Sequence, residues 1–407
     1  MKWEKVKLGD VCTKIGSGAT PKGGSTVYID KGTSFIRSQN VYNLSFDYSG
    51  LVFINDEAAQ KLKGVTIEEN DVLLNITGDS VARTCIVPFD ILPARVNQHV
   101  AIVRPDRNIL DSVFLSYYLA SPFMQTFMLG IAVGKGTSRN AMTKDMIAKF
   151  EVPCPPLEVQ REIINIIKPY DDIIKNNKKQ IRLLEEAAQR LYKEWFVDLR
   201  FPGHENVKIV NGVPEGWRKQ KVLEFGEIIT GKTPSTAKEQ YYGGNIPFVK
   251  IPDMHNCVYP ITTETTLTTE GADIQKNKFI PKNAIMVSCI ATVGLVNIAI
   301  ESCQTNQQIN SIILNDEQDL YYVFSTMKRL KTLLEGVGSN GATMTNVNKT
   351  KFGNLEVLYP DFELRKKYFE YCKSLFEKIF TLSISIKKSA QARDRLLPKL
   401  MNGELEV

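Results

Sequence analysis

The chain has 407 residues, 43% of them apolar, and a formal net charge of +6. This length exceeds one ordinary core, and the small positive charge excludes a nucleic-acid binder that works by overall charge, so any DNA contact must come from local clusters. Seven cysteines without a C-x-x-C pair and three histidines far apart in sequence argue against zinc and favour a reducing compartment. The N-terminal stretch "MKWEKVKLGD" contains no apolar signal segment, so we expect a cytoplasmic protein.

The first 152 residues are rich in Val, Ile, Thr and Tyr, with frequent Gly, Asn and Asp turns. This composition predicts short strands in a mixed α+β domain. A helical stretch from Asp111 to Leu129 interrupts the strands, and a Gly-x-Thr-Pro turn begins at Gly18. Residues 1–152 therefore form the first predicted globular domain.

A long helical region follows at residues 153–203, after two consecutive prolines. Its apolar positions alternate in steps of four and three, which is the seam of a coiled coil. Pro169 lies inside the pattern and predicts a kink or a restart of the helix. The Asn177 amide either fixes the register of the seam or lies at a solvated end. The seam consists of Ile163, Ile167, Tyr170, Ile174, Asn177, Ile181, Leu184, Ala188, Leu191 and Trp195.

A second globular domain is predicted at residues 204–360, after a connector rich in Gly and Pro. It contains "GEIITGKTPS" at residues 226–235, which fits the phosphate-binding pattern G-x-x-x-x-G-K-[ST]. No apolar residues recur at helical spacing after this stretch, and Pro234 follows Thr233 directly. A nucleotide-binding enzyme that uses Lys232 is therefore an alternative, but not the favoured one.

An uncharged run at residues 283–300 approaches the length of a membrane span. The matching stretch of the first half carries Asp71, Asp79 and Arg83, so two buried strands joined by a turn explain both runs better. Residues 361–407 then form a second long helical region. Its seam weakens at Ser389 and Arg393, where the packing either loosens or moves to another face. The seam positions are Tyr368, Cys372, Leu375, Ile379, Leu382, Ile386, Ser389, Arg393, Leu396 and Leu400.

The two halves of the chain repeat each other. A shift of 213 residues places the Gly18 turn on the Gly231 turn, and a slightly smaller shift aligns Asn97-Gln98 with Asn306-Gln307. The first-half loop is longer than the "GEIITGKTP" loop and has Ala19 in place of the lysine, which argues against a phosphate site. Two related modules joined by helices could grip two places on one long ligand, although a two-headed protein-binding scaffold would look the same. A helix over residues 170–197 would span about 42 Å, close to one DNA turn of about 34 to 36 Å.

The residues of this repeat resemble the specificity subunits of type I restriction-modification enzymes. The resemblance covers essentially the whole chain and rests on the paired turns "GATP" and "GKTP", on "NQHVAIV" and "NQQINSI", and on "IRLLEEAAQRLYKEWFVDLRF" leading to "GVPEGW". It implies an α+β protein with two repeated target-recognition domains and two long antiparallel coiled-coil helices related by a pseudo-twofold axis. It also implies that each domain reads half of a split, asymmetric DNA site, and that the helices set the spacer.

The resemblance further implies a chain without catalysis or a cofactor of its own. Its expected partners are double-stranded DNA, two methyltransferase subunits that use S-adenosylmethionine, and restriction or translocase subunits that can join the complex. The polar loop residues that we predict to contact DNA are Arg37, Ser38, Gln39, Asn40, Lys135, Thr137, Ser138, Arg139 and Asn140 in the first domain, and Lys250, Asp253, His255, Ser339, Asn340 and Thr343 in the second.

Simpler interpretations exist for each of these residues, because polar side chains in loops are commonly just solvated. Asn97-Gln98 and Asn306-Gln307 occur in both copies, which favours structural hydrogen bonds over base reading. Asp79 and Arg83 are either a DNA-contacting pair or a surface ion pair, and the ion pair is the favoured interpretation.

Overall fold

The structure is a computed structural model that describes residues 3–133, 141–331 and 347–405. The chain divides into two compact units, Met1–Asp172 with Ser389–Val407, and Ile173–Lys388. Both units combine antiparallel sheet with helices, and the predicted α+β fold with a repeated globular domain is confirmed. The division of the chain into two globular and two helical regions, at residues 152, 203 and 360, stays a prediction.

The first unit begins with short strands that alternate with turns. Its strands are β1 (Lys5–Lys7), β2 (Cys12–Ser17), β3 (Tyr28–Ile29), β4 (Thr33–Ile36), β5 (Val41–Tyr42), β6 (Ser45–Phe46), β7 (Val52–Ile54), β8 (Thr66–Ile67), β9 (Val72–Asn75), β10 (Thr84–Ile86), β11 (Ala94–Val96), β12 (Val100–Pro105) and β13 (Glu151–Pro153). Its short helices are α1 (Asp56–Lys61), α2 (Ser112–Ala120), α3 (Pro122–Ala132) and α4 (Lys144–Ala148).

The single helical stretch predicted at residues 111–129 is two helices, because Ser121 separates them. Asp111 caps α2 by accepting a hydrogen bond from the Val113 N–H at 2.8 Å. Ser121 ends α2 in an extended conformation and caps α3, and Pro122 occupies the first turn of α3. Proline has no N–H to donate, which is harmless at the start of a helix and unfavourable in its interior.

Two sheets form the core of the first unit. One has the antiparallel order β10-β9-β12-β2, and the other has the order β3-β7-β4-β11-β8, in which β11 pairs in parallel with β4. The strands of the first sheet bury Val72, Leu74, Ala101 and Val103 in a cluster with Phe114 of α2. This cluster fixes the sheet against the helix that follows it in sequence.

The second unit repeats this plan. Its strands are β14 (Ile209–Val210), β15 (Val213–Pro214), β16 (Arg218–Lys221), β17 (Gly226–Thr230), β18 (Tyr242–Val249), β19 (Thr265–Leu267), β20 (Ile285–Ser288), β21 (Val296–Ile298), β22 (Gln304–Thr305), β23 (Ile309–Leu314) and β24 (Glu356–Tyr359). Its short helices are α6 (Thr269–Asp273), α7 (Leu320–Arg329) and α8 (Lys349–Gly353). The sheet orders are β17-β23-β20-β21 and β19-β18-β22, with β22 parallel to β18.

Two sequence alternatives are settled by these elements. The uncharged run at residues 283–300 forms β20 and β21, two buried strands joined by a turn, as predicted. The phosphate-loop interpretation is wrong, because Gly226–Thr230 is a strand and residues 231–238 contain no helix to hold a phosphate. No helix in the described part of the chain is long and apolar enough to cross a membrane.

Two long helices, α5 (Leu157–Phe196) and α9 (Phe362–Met401), follow the two globular parts of the chain. Helix α5 continues through Pro169, so of the two predicted alternatives the restart is wrong, and the kink stays a prediction. The Pro169 side chain is exposed, and water can satisfy the carbonyl that loses its intrahelical partner.

Within each unit, part of one long helix packs against part of the other. In the first unit, Ile163 and Ile167 near the start of α5 share a core cluster with Leu397 and Leu400 at the end of α9. In the second unit, Trp195 at the end of α5 lies 5.8 Å from Tyr368 near the start of α9, measured between ring centroids. The two helices therefore run antiparallel.

Two polar residues of the seam, Asn177 and Arg393, have partners on the opposite helix. Asn177 is buried and its Nδ2 donates to Ser385 Oγ at 2.9 Å, while Arg393 Nη1 lies 2.7 Å from Asp171 Oδ1. Between Leu382 and Leu397 no residue of α9 is buried, and beyond Arg393 the seam residue Leu400 is buried together with Leu397 and Met401. The packing therefore loosens around Ser389 and Arg393, as one of the two alternatives predicted, and tightens again with Leu397 and Met401 added beside the seam.

Candidate nucleic-acid interface

The Gly-x-Thr-Pro turn has the same contacts in both units. The Gly18 N–H donates to the Val100 carbonyl at 2.9 Å, and the Gly231 N–H donates to the Ile309 carbonyl at 3.1 Å. A Cβ on Gly18 would lie 2.1 Å from the Val96 oxygen, and one on Gly231 would lie 2.2 Å from the Asn306 oxygen. Glycine is therefore required at both turns, because a side chain would collide with the neighbouring backbone.

The Asn-Gln pairs hold these turns in place. Thr20 Oγ1 contacts Gln98 Oε1 in the first unit, and Thr233 Oγ1 donates to Gln307 Oε1 at 2.6 Å in the second. Asn97 Oδ1 accepts from the His99 N–H at 3.1 Å. These contacts give the pairs the structural role that their occurrence in both copies indicates, and the two units share one backbone frame.

The predicted cluster at residues 37–40 forms a 3₁₀ turn directly after β4. Asn40 is fully buried, and its side chain accepts from the Arg37 N–H at 3.0 Å and donates to the Asp47 carbonyl at 2.9 Å. The Arg37 guanidinium donates to the Gly50 carbonyl at 2.6 Å. Arg37 and Asn40 thus shape the turn, while Ser38 is half-buried and Gln39 is exposed.

The equivalent turn of the second unit is built in the same way. Asp253 Oδ2 accepts from the Lys250 N–H at 2.8 Å, and Asp253 Oδ1 accepts from the Glu264 N–H at 2.9 Å. Lys250 is half-buried, and His255 is exposed at the end of the turn. Asp253 thus has the capping role that Asn40 has in the first unit.

Direct DNA contacts by these residues stay a prediction. The remaining predicted contacts lie outside the residues that the structure describes. They are Lys135, Thr137, Ser138, Arg139 and Asn140 of the first unit, and Ser339, Asn340 and Thr343 of the second.

A polar cleft of about 510 Å³ opens beside the first predicted turn. It brings Ser38 and Gln39 together with side chains from the turn after β9, from β5 and from the start of β12. The lining residues are Ser38, Gln39, Tyr42, Thr77, Gly78, Asp79, Ser80, Arg83, His99 and Ala141. Of this group, Ser38 and Gln39 are predicted DNA contacts, and for Asp79 and Arg83 a DNA contact was the less favoured interpretation. The other lining residues were not predicted from the sequence.

Arg83 is the cationic side chain of this lining. Its guanidinium carbon lies 4.5 Å from the centroid of the Tyr42 ring, a cation–π arrangement. The favoured ion pair between Asp79 and Arg83 is wrong, since none forms between these two described residues. Beside them, Thr77 Oγ1 and His99 Nδ1 are 2.6 Å apart and share a hydrogen bond.

The second unit has a different lining at the equivalent positions. In the first unit the Asn75 N–H donates to the Arg83 carbonyl at 2.8 Å, and in the second the Ser288 N–H donates to the Leu295 carbonyl at 2.9 Å. This shared bond places Leu295 where the first unit has Arg83. A cavity of about 240 Å³ in the second unit lies elsewhere, lined by Val249, Met286 and Lys387 among others. One frame therefore carries two unlike surfaces.

The thiols of the chain are unsuited to nucleophilic chemistry. Burial raises the pKa of Cys85 to about 12, and burial likewise raises the pKa values of Cys303 and Cys372 to about 12. These thiols stay protonated at neutral pH, whereas the thiolate is the reactive form. Among the residues described, no group of three or more His, Cys, Asp and Glu side chains could hold a metal ion.

Comparisons with known proteins agree with the repeat. The family model described as type I restriction modification DNA specificity domain matches residues 1–186 and 214–389. The HindI type I restriction enzyme specificity subunit of Haemophilus influenzae is 30% identical over 99% of this chain and 99% of its own. The MjaIX specificity subunit of Methanocaldococcus jannaschii is 23% identical over 100% of this chain and 94% of its own.

Solved structures support the fold. The crystal structure of a type I restriction-modification S subunit from M. genitalium matches with a TM-score of 0.60 and 14% identity. That match covers 98% of this chain and 96% of the other. The similarity therefore extends over both globular parts and both long helices of the chain.

Proposed function

The chain belongs to the family of type I restriction-modification specificity subunits, and we propose that each of its two units reads one half of a split, asymmetric site on double-stranded DNA. Subunits of this family are the non-catalytic DNA-recognition component of their enzymes. The observation that carries the proposal is the shared frame with unlike side chains. Arg83 and Tyr42 of the first unit correspond in position to Leu295 and His255 of the second. Different side chains on equivalent turns suit two different half-sites.

The long helices supply the second part of the proposal, which concerns partners. Helix α5 exposes Ile166, Ile173 and Leu183, and α9 exposes Tyr371 and Phe380. Exposed apolar side chains on otherwise charged helices suit docking of other subunits. The partners are two methyltransferase subunits, and restriction or translocase subunits can join them. In this assembly the methyltransferase subunits bind S-adenosylmethionine, and the specificity subunit binds no cofactor.

The reaction takes place in the cytoplasm, where the chromosomal DNA of a prokaryotic cell lies. Methyl transfer needs the target base to be presented to the methyltransferase subunit. The specificity subunit contributes the choice of site and the spacing between its halves. Because it makes no covalent bond to DNA, its contribution is binding free energy that differs between sequences.

Binding to a library of random DNA duplexes tests this function. The specificity subunit, assembled with its methyltransferase subunits, should retain duplexes that share a split motif, two short sequences separated by a constant unread spacer. The retained duplexes would be sequenced after gel-shift selection. Retention without any shared motif would contradict site recognition, and no retention of DNA at all would favour a two-headed protein scaffold.

A further inference from the structure

The cleft of the first unit is lined by Arg83, whose side chain is suited to recognising a DNA base. Resting on the proposed function and extending it, we propose that Arg83 recognises a guanine in the half-site read by the first unit. An arginine guanidinium can donate two parallel hydrogen bonds to guanine O6 and N7 in the major groove. A DNA contact by Arg83 was the less favoured interpretation of the sequence, and the argument for it comes from four features of its surroundings.

First, the backbone around Arg83 is fixed on both sides. Gln125 Nε2 donates to the Ala82 carbonyl at 2.8 Å, and the Asn75 N–H donates to the Arg83 carbonyl at 2.8 Å. The Thr84 N–H donates to Asn43 Oδ1 at 3.1 Å. Three consecutive residues are thus held by three different elements. A side chain on such a segment loses little further backbone entropy when it binds a ligand.

Second, the side chain itself is supported. The guanidinium lies 4.5 Å from the Tyr42 ring centroid, and it makes no hydrogen bond or ion pair with any residue that the structure describes. Contact with an aromatic face leaves the N–H groups at the edge of the guanidinium available to a ligand. Arg37, by contrast, already donates to the Gly50 carbonyl. Arg83 is therefore the better candidate for base reading.

Third, the neighbouring side chains suit a G·C base pair. Asp79 lines the same cleft and is exposed, and a carboxylate can accept a hydrogen bond from the cytosine N4 amino group. Arg83 can donate to the acceptors of guanine, and Asp79 can accept from the donor of cytosine, so the two side chains together match a G·C base pair. An adenine would present an N6 donor towards the arginine and would be rejected.

Fourth, the second unit has no equivalent arginine. Leu295 occupies the matching position, and its carbonyl accepts from the Ser288 N–H as the Arg83 carbonyl accepts from Asn75. The conserved backbone bond shows that the two side chains leave the frame at the same point. Loss of Arg83 should consequently relax one half-site and leave the other unchanged.

The methylation motif of cells expressing each variant tests the assignment. With Arg83→Gln, one guanine of the first half-site should become degenerate in the methylome, while the second half-site and the spacer stay as in the wild type. Arg107→Gln is the matched control, since Arg107 is exposed in the same unit and lies outside the cleft. An unaltered motif in assembled Arg83→Gln complexes would overturn the assignment.

Binding to modified DNA gives a second measurement that does not require methylation. Replacing the guanine with 7-deazaguanine removes the N7 acceptor, and wild-type affinity should fall about tenfold or more. The Arg83→Gln complex should bind both duplexes equally. An equal loss in wild type and variant would overturn the Arg83 contact while leaving split-site recognition intact. Absence of any motif in the wild type would instead contradict the proposed function.

Discussion

Arg365 and Asp319 form a buried charged pair at the start of α9. Arg365 Nη1 contacts Asp319 Oδ1, Tyr359 Oη donates to Asp319 Oδ2 at 2.8 Å, and the guanidinium lies 4.1 Å from the Tyr359 ring centroid. Burial raises the pKa of Asp319, and the charge of Arg365 opposes this rise. The Asp319 carboxylate therefore stays charged in its buried position only while Arg365 is present.

Replacing Arg365 should be costly for this reason. Gln160 holds the matching place in the first unit, where its Nε2 donates to the Ile109 carbonyl at 2.9 Å. Arg365→Gln copies that residue but leaves Asp319 unpaired, so we expect a loss of about 3 kcal/mol or more in the free energy of unfolding. Urea unfolding followed by tryptophan fluorescence measures it. The double variant with Asp319→Asn should recover most of the loss, and equal stability of single and double variants would contradict this explanation.

Single residues also show the limit of sequence reasoning. The glycines of both turns and the roles of Asn97 and Asn306 follow from their occurrence in both copies. The contact of Tyr42 with Arg83 does not, because the residues are far apart in sequence and join only when β5 and β10 come together. Asn40 resembled a surface contact since it follows a strand, whereas the turn folds over it and buries its amide.

At the scale of elements, the long helices were the most predictable part of the chain. Their apolar spacing carries information over many consecutive turns, so local irregularities do not obscure it. The helix does not restart at Pro169 because an exposed proline interrupts only one intrahelical bond. The division between α2 and α3 was missed because apolar residues continue on both sides of Ser121-Pro122, although this dipeptide is typical of a helix start.

The antiparallel helices give a prediction about spacing. Inserting one heptad into α5 after Asn177 and another into α9 before Ser385 preserves the seam and lengthens both helices by about 10.5 Å. At about 3.4 Å per base pair, the unread spacer should grow by about three base pairs. Methylome sequencing would detect the new spacer. A heptad inserted into α5 alone should disrupt the pairing and reduce methylation, and an unchanged spacer in the double insertion would refute the role of the helices as a ruler.

At the scale of the whole molecule, the repeat makes the recognition domains exchangeable in principle. Replacing the second globular part with a copy of the first should yield an enzyme that recognises the first half-site twice. The two copies should occur in inverted orientation, because α5 and α9 run antiparallel. The exchange should include the helix start as far as Gln160, since each globular part is anchored by its own residue, Gln160 or Arg365.

The methylation motif of the exchanged protein is the measurement. A palindromic split motif is the expected result, and the number of methylated sites should match its frequency in the genome. The matched comparison is an exchanged protein that keeps Arg365, in place of Gln160, after the copied first globular part, and it should be less stable. A motif that retains the original second half-site would contradict the assignment of one half-site to each unit.

Arg83 and Leu295 each accept the same backbone hydrogen bond in their own unit, and this equivalence bears on how such proteins diversify. A side chain at Gly18 or Gly231 would collide with the backbone, so the scaffold does not tolerate change at these turns. The side chains that project from the scaffold at equivalent positions, such as Arg83 and Leu295, differ between the two copies. Selection can therefore preserve the architecture while a few substitutions, or recombination of one gene segment, create a new target. A new specificity can therefore arise without a new fold.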